Sequence, residues 1–288
     1  MQLKNQPLTN LVEINLAMLF VSTSGALGRY IDLSPPLTIA TRAVLAFIIL
    51  FAYCSYKGFS FKIAKEHRTP IFFSGIFLGA HWVTYFYSLQ LSNVAIGMLS
   101  LFTYPIITAF LEPILLKTQF QKVHLFLGLL VLAGIYLLNP TFDLKNGQTL
   151  AVGIGIFSAL LYSLRNIILK NRVGEYNGSS LMCFQMGVIG IVLAPFFLSD
   201  RIAEVPGQFP WIVTLALLTT AIGHTLFLNC FRYFSITTIS ILSSIQPIYG
   251  IVLGAVFLKE FPSITTVFGG VLILSAVAIE SLRTGNKN

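Results

Sequence analysis

The chain is a succession of apolar runs, each about 20 residues long and ended by a short break rich in Pro, Gly or charge, which is the length a helix needs to cross a bilayer. Cut at those breaks, the sequence gives ten segments, at approximately 11–31, 36–56, 69–91, 94–116, 121–139, 148–170, 178–198, 209–232, 236–258 and 262–282. The expected class is an all-α membrane protein. Runs this long lack the alternation of barrel strands, and in lipid only helices and closed barrels satisfy every backbone group. The cuts at Gln90-Leu91-Ser92-Asn93 and Arg232-Tyr233-Phe234-Ser235 are the weakest. They are still required, because one helix from 69 to 116 would overshoot the bilayer.

Composition excludes most other classes. Hydrophobic residues make up 56% of the 288 positions and charged ones 10%, and the mean hydropathy is +0.83, so no sizeable soluble domain is left over. No Walker-type loop occurs, and any energy source is therefore a gradient. The formal charge of +8 is dispersed through short loops, so no nucleic-acid partner is expected. Cys54, Cys183 and Cys230 sit in apolar stretches without CxxC spacing and read as buried small side chains, with no disulfide or metal. No HExxH or G-x-S-x-G motif is present, and Asp32, Asp143 and Asp200 fall in loops, so no catalytic residue and no cofactor is expected. The run Leu16 to Val21, with Lys4 before it and Ser22 to Ala26 after it, has the outline of a cleaved leader. It is read as a span instead, because Ala17-Met18-Leu19-Phe20 has a mid-chain counterpart in Ala159-Leu160-Leu161-Tyr162.

The two halves match at a spacing of 142 residues, which pairs Pro105-Ile106 with Pro247-Ile248, Leu116-Lys117 with Leu258-Lys259, and Gly128 with Gly270. Five spans per half is an odd number, so the second half, 143–288, enters the membrane from the side opposite to 1–142. With the amino terminus in the cytoplasm, twelve basic residues fall inside: Lys4, Lys57, Lys62, Lys65, Arg68, Lys117, Lys122, Lys170, Arg172, Arg232, Arg283 and Lys287. Four fall outside: Arg29, Lys145, Arg201 and Lys259. Both termini are then cytoplasmic.

These residues resemble the drug/metabolite transporter superfamily, and within it the EamA-type carriers. The resemblance spans essentially the whole chain. It rests on an Arg in the second span shortly after Pro (Pro36 to Arg42), a Pro in the fourth and ninth spans (Pro105, Pro247) and Leu258-Lys259-Glu260 after the ninth. It departs at Thr118, where the first repeat often carries a Glu, and Glu112 lies inside the fourth span instead. The resemblance implies ten helices in two five-helix repeats, transport of a small solute, and a multi-pass protein of a prokaryotic inner membrane.

Ionisable groups inside the bilayer cost at least about 2.5–3.5 kcal/mol each, so each needs a reason. Arg42 lies about 9 Å below the outer end of its helix, where it either snorkels, holds backbone carbonyls or contacts an anion. Glu112 and Arg165 each precede a lysine by five residues on the inner side, and read either as a packing salt bridge or as an inner gate open to proton coupling. His81 and His224 are near-central and related by the repeat to within one residue. His81, Tyr85 and Ser88 form one helical stripe, and Ser158, Tyr162 and Arg165 another. Trp82, Tyr104 and Tyr249 add aromatic surface, and Ser243 shares a face with Pro247, Gly250 and Gly254. The substrate-cavity candidates are thus His81, Trp82, Tyr85, Ser88, Tyr104, Tyr162, His224, Ser243 and Tyr249. The gating or coupling candidates are Arg42, Pro105, Glu112, Arg165 and Pro247, with the two prolines read as kinks. The fifth and tenth spans, nearly uniformly apolar, read as scaffold.

The function expected is secondary transport, export or exchange, of small organic metabolites, with amino acids favoured. The partners are then the solute and the lipid bilayer. A nucleotide- or sugar-type carrier and, further off, a membrane enzyme are the competing classes. The basic-residue count also predicts sidedness. Single cysteines at 145 and 62, in a background without native cysteines, should differ toward an impermeant thiol reagent applied outside, with 145 labelled and 62 protected. The reverse pattern would invert the orientation.

Overall fold

With no water to bond their backbones, apolar runs close their hydrogen bonds internally, and the chain is helical without strands among the described residues. The computed structural model describes residues 8–117, 119–139, 143, 145–169, 175–230 and 242–285. Lys4, Thr118, Lys170, Arg172, Arg232 and Lys287, with the break at 232–235, lie outside the described residues.

The helices are α1 (Leu8–Tyr30), α2 (Pro35–Tyr56), α3 (Lys65–Leu91), α4 (Val94–Leu101 followed by Tyr104–Leu116), α5 (Val123–Leu138), α6 (Gly147–Leu169) and α7 (Gly178–Val192). Two 3₁₀ turns, Ala194–Leu198 and Asp200–Glu204, lead into α8. That helix runs as Val205–Thr214, a π-helical stretch Leu215–His224 and Thr225–Cys230. The last two are α9 (Gln246–Leu258) and α10 (Ile264–Gly285). Among the described residues, five helices are long and apolar enough to cross a membrane, and four more are apolar but shorter. α3 has the length, at 27 residues, but carries polar side chains along its buried face.

Local chemistry explains the starts and stops. Asn93 accepts from the Ile96 amide at 2.9 Å and Asn177 from the Ser179 and Ser180 amides, so each caps the helix that follows. α4 and α9 both end on a lysine in the left-handed conformation, Lys117 (φ 55°) and Lys259 (φ 59°). These are the lysines matched by the 142-residue spacing. The fourth span is not continuous as expected, because the helix breaks at Phe102–Thr103 and restarts at Tyr104. Pro105 and Pro247 therefore lie in the first turn of a helix, not at an interior kink. A missing N–H costs nothing there, since the first-turn amides have no intrahelical partner.

Partners are exchanged between the halves. α3 lies along α6 while α8 lies along α1, α4 packs on α6 while α9 packs on α1, and α2 and α7 each touch the other and the other's third-helix neighbour. The first piece of α4 meets α9 where Val94 and Met98 fill the space over Gly254 and Gly250. α5 and α10 form a pair at the periphery. Leu125, Leu129, Leu132 and Tyr136 on α5, and Ile264, Phe268 and Val271 on α10, stay exposed at helical spacing, as a lipid-facing stripe requires. Near the start of α5 and the end of α10 the pair is tied by Glu280, which accepts from Arg283 at 3.0 Å and lies 3.3 Å from His124.

The α5–α10 approach is backbone against backbone. A Cβ at Gly134 would lie 2.8 Å from the Gly269 carbonyl oxygen, and one at Gly269 would lie 2.7 Å from the Gly134 oxygen. Gly269→Val should cost about 1–3 kcal/mol through overpacking, read as a lower melting temperature in detergent. An unchanged melting temperature would mean the two helices do not approach this closely.

Candidate functional site

The polar stripes of α3 and α6 meet each other at the centre of the molecule. His81 and Ser158 are both buried, with His81 Nδ1 2.7 Å from Ser158 Oγ, and the same Oγ 2.8 Å from the His81 carbonyl. A hydroxyl has one proton, which goes to the carbonyl, so Nδ1 is the donor in the other bond and Nε2 keeps its lone pair in neutral imidazole. The His81 ring stacks on Tyr162 at 4.7 Å, and Tyr162 meets Tyr104 edge-on at 4.8 Å. Tyr85 also stacks on His81, at 6.1 Å between ring centres. This aromatic column brings together the candidates His81, Tyr85, Tyr104 and Tyr162.

A second group adjoins it. Arg42 is fully buried, so it does not snorkel. Its guanidinium carbon lies 3.7 Å from the centroid of Trp82, and its Nε donates to Thr220 Oγ1 at 2.8 Å. Trp82 and His224 are 5.7 Å apart between ring centres. Thr220 lies in the π-helical stretch, a widened turn of the kind often found at functional sites. The Thr219-Thr220 pair was the available sequence signal for it, but two hydroxyls in an apolar run look like ordinary helix filling.

Arg165 does not find Glu112. Its Nη2 donates to Gln185 Oε1 at 3.0 Å and its Nη1 to Asn166 Oδ1 at 3.1 Å, while Gln185 Nε2 donates onward to Ser74 at 2.8 Å. Glu112 is half-buried in the C-terminal part of α4. Arg42 on α2 thus reaches α8, and Gln185 on α7 reaches α3, so the second helix of each half sends a polar side chain to the third helix of the other.

Ser88 departs from the cavity expectation. It is buried and donates to the Ala151 carbonyl at 2.8 Å, which makes it a helix-packing group between α3 and α6. Tyr249 donates to Asn15 Oδ1 at 3.2 Å, linking α9 to α1, and Ser243 is buried just before α9. The residues ahead of the two prolines are held alike. Ser163 Oγ lies 2.9 Å from the Tyr104 carbonyl, and Ser22 Oγ lies 2.9 Å from the Gln246 carbonyl. Each hydroxyl also reaches the carbonyl four residues back in its own helix. At the opposite end, Glu260 accepts from Arg29 Nε and from the Val94 amide, both at 2.9 Å, and so ties the end of α1 to the start of α4.

The family model for EamA-like transporters matches residues 12–139 and again residues 149–282. The chain belongs to the EamA-like transporter family. It is thereby a membrane transporter of the drug/metabolite transporter superfamily and a multi-pass inner-membrane protein. It is 23% identical to an uncharacterised transporter, YxxF, of Bacillus subtilis, over 98% of this chain and 92% of that protein. It is 24% identical to the threonine/homoserine exporter RhtA of Salmonella typhimurium, over 94% of this chain and 88% of the exporter. Its identity to the pseudopaline exporter CntI of Pseudomonas aeruginosa is 20%, over 82% and 83%. A solved crystal structure shares the fold with a TM-score of 0.68 at 16% identity, covering 98% of this chain and all of that one.

In this EamA-like protein the neutral Gln185 is what holds Arg165. Gln185→Leu should cost about 1–3 kcal/mol, because it leaves a buried donor unmatched. Gln185→Glu, which keeps the acceptor and adds an opposite charge, should melt at or above the wild-type temperature. Equal melting of all three proteins would show that the bond contributes nothing.

Proposed function

We propose that the protein is an exporter or exchanger of small organic solutes, amino acids favoured. On this reading it works by alternating access between two inverted five-helix repeats, 1–142 and 143–288, with ten spans and both termini cytoplasmic. The observation that carries the reading is the exchange of partners between the halves. The main pairs across the halves have counterparts, α3–α6 with α8–α1, α4–α6 with α9–α1 and α2–α8 with α7–α3, and the matched left-handed lysines and the serines that bond the carbonyls ahead of the two prolines repeat the pattern at atomic scale. Two halves with equal packing options can interconvert by rocking one against the other about a fixed site. The site on this reading is the enclosed cluster of His81, Trp82, Tyr85, Tyr104, Tyr162 and His224, to which helices of both halves contribute. Aromatic walls with a few polar groups suit a small, partly apolar metabolite. The relatives named as exporters, one of threonine and homoserine, support the direction and the substrate class.

Glu112, half-buried on the inner part of α4, is the candidate for proton coupling. The breaks before Pro105 and Pro247 are the hinges. An alanine at either position restores the missing amide and lets the broken helix run straight. Counterflow in proteoliposomes across a panel of amino acids, nucleotides and sugars should reveal exchange of an amino acid. Pro105→Ala should slow that exchange more than it weakens binding. Chemical change of a panel compound without exchange would sink the transport reading, and wild-type rates in Pro105→Ala would remove the hinge.

A further inference from the structure

Two arginines are buried within the bundle, Arg42 completely and Arg165 to 8% exposure. All ten carboxylates of the chain are among the described residues, yet neither arginine pairs with one. The ion pairs between described residues are Arg29–Glu260, His67–Glu175, His124–Glu280, Arg201–Asp32, Arg201–Glu204 and Arg283–Glu280, all at helix ends or in connections. The buried cations are therefore uncompensated by the protein.

For Arg165 neutral oxygens meet part of the need. Arg42 is more exposed to the penalty of burial. Its Nε is satisfied by Thr220 and one face of its plane is covered by Trp82, but Nη1 and Nη2 are buried with no hydrogen-bond partner. A stacked aromatic ring contributes about 0.5–2 kcal/mol, which does not replace two charged hydrogen bonds worth about 1.5–3 kcal/mol each. Nature rarely leaves such donors unmet in a membrane unless something arrives to meet them. Arg42 lies on Trp82, which adjoins His224, and Arg165 follows Tyr162 by three residues on α6, where Tyr162 stacks on His81. The centre of the molecule is thus positive and walled by aromatic rings.

We infer that Arg42, held flat on Trp82 and fixed by Thr220, binds the carboxylate of the transported solute. The two unpartnered NH2 groups present the planar fork of N–H bonds that matches the two oxygens of a carboxylate, and Thr220 and Trp82 set its orientation before the ligand arrives. With Nε already engaged, the free edge suits a planar monoanion. The inference rests on the transport reading only for calling the ligand a transported solute.

Trp82 doubles as the reporter, since the chain has two tryptophans and Trp211 lies apart, meeting Tyr30 edge-on at 5.0 Å. In purified Trp211→Phe protein, Trp82 emission is titrated with acetate, L-alanine, L-threonine and succinate, and with the matched amides acetamide, L-alaninamide, L-threoninamide and succinamide. Sodium phosphate and sodium chloride serve as inorganic controls. At least one carboxylate should give a saturable change that its amide does not. Arg42→Gln should weaken that binding by at least about tenfold, the loss of one charged hydrogen bond, and Arg42→Lys should fall between. The acid–amide comparison uses protein with Arg42 intact, so it stands even where a variant fails to fold. Equal binding of acids and amides, undiminished binding by folded Arg42→Gln, or saturation by no carboxylate or by phosphate or chloride alone would each overturn the assignment. Saturable carboxylate binding without counterflow would keep the site and remove transport. Counterflow confined to solutes without a carboxylate would do the opposite.

Discussion

A break in a membrane helix leaves backbone groups that no water can satisfy, so it persists only where neighbours close around it. Among the described residues, the break in α4 and the start of α9 are each held by the other half. Ser163 on α6 holds the restart of α4, and Ser22 on α1 holds the restart of α9. These crossed bonds fix α1 and α6 against the broken helices, and α3 and α8 in turn pack along α6 and α1. His81, Trp82 and His224 owe their positions to that chain of supports.

The chemistry of the interior follows from where charge is tolerated. The ion-paired carboxylates sit at helix ends or in connections, where they meet arginine or histidine, and Glu260 there also accepts from the first-turn amide of Val94. The middle of the bundle holds arginine and imidazole beside aromatic rings, with neutral oxygens from Thr220, Gln185 and Ser158 as their protein partners. Such a division keeps the protein's own acids from quenching its central cations.

Much of this was legible from the residues. Apolar run length marked the helices, and the 142-residue spacing picked out the proline and lysine pairs that adopt like geometry. Hydropathy was silent at the α4 break, because Leu101-Phe102-Thr103-Tyr104 carries no charge and no Gly to interrupt the apolar run. Helical periodicity placed Ser88 on the correct face of α3 but carried no information on whether a cavity or a helix lies opposite, and the answer is the Ala151 carbonyl. Charge matching pointed Arg165 toward Glu112, whereas the bond formed is to an uncharged amide, which leaves no signature in a charge pattern.

The π-helical stretch in α8 accounts for one oddity of the repeat. His224 falls one residue later than the 142-residue spacing would place a partner for His81. A π turn is an α-helix that has absorbed a surplus residue, and every side chain beyond it is rotated by about 100° relative to an uninterrupted helix. The stretch Leu215–His224 ends on that histidine, while α3 is regular through His81. The two halves are thus not related by a single numerical offset. Within α8 the matching frame slips by one, and the 142-residue offset is restored by Pro247.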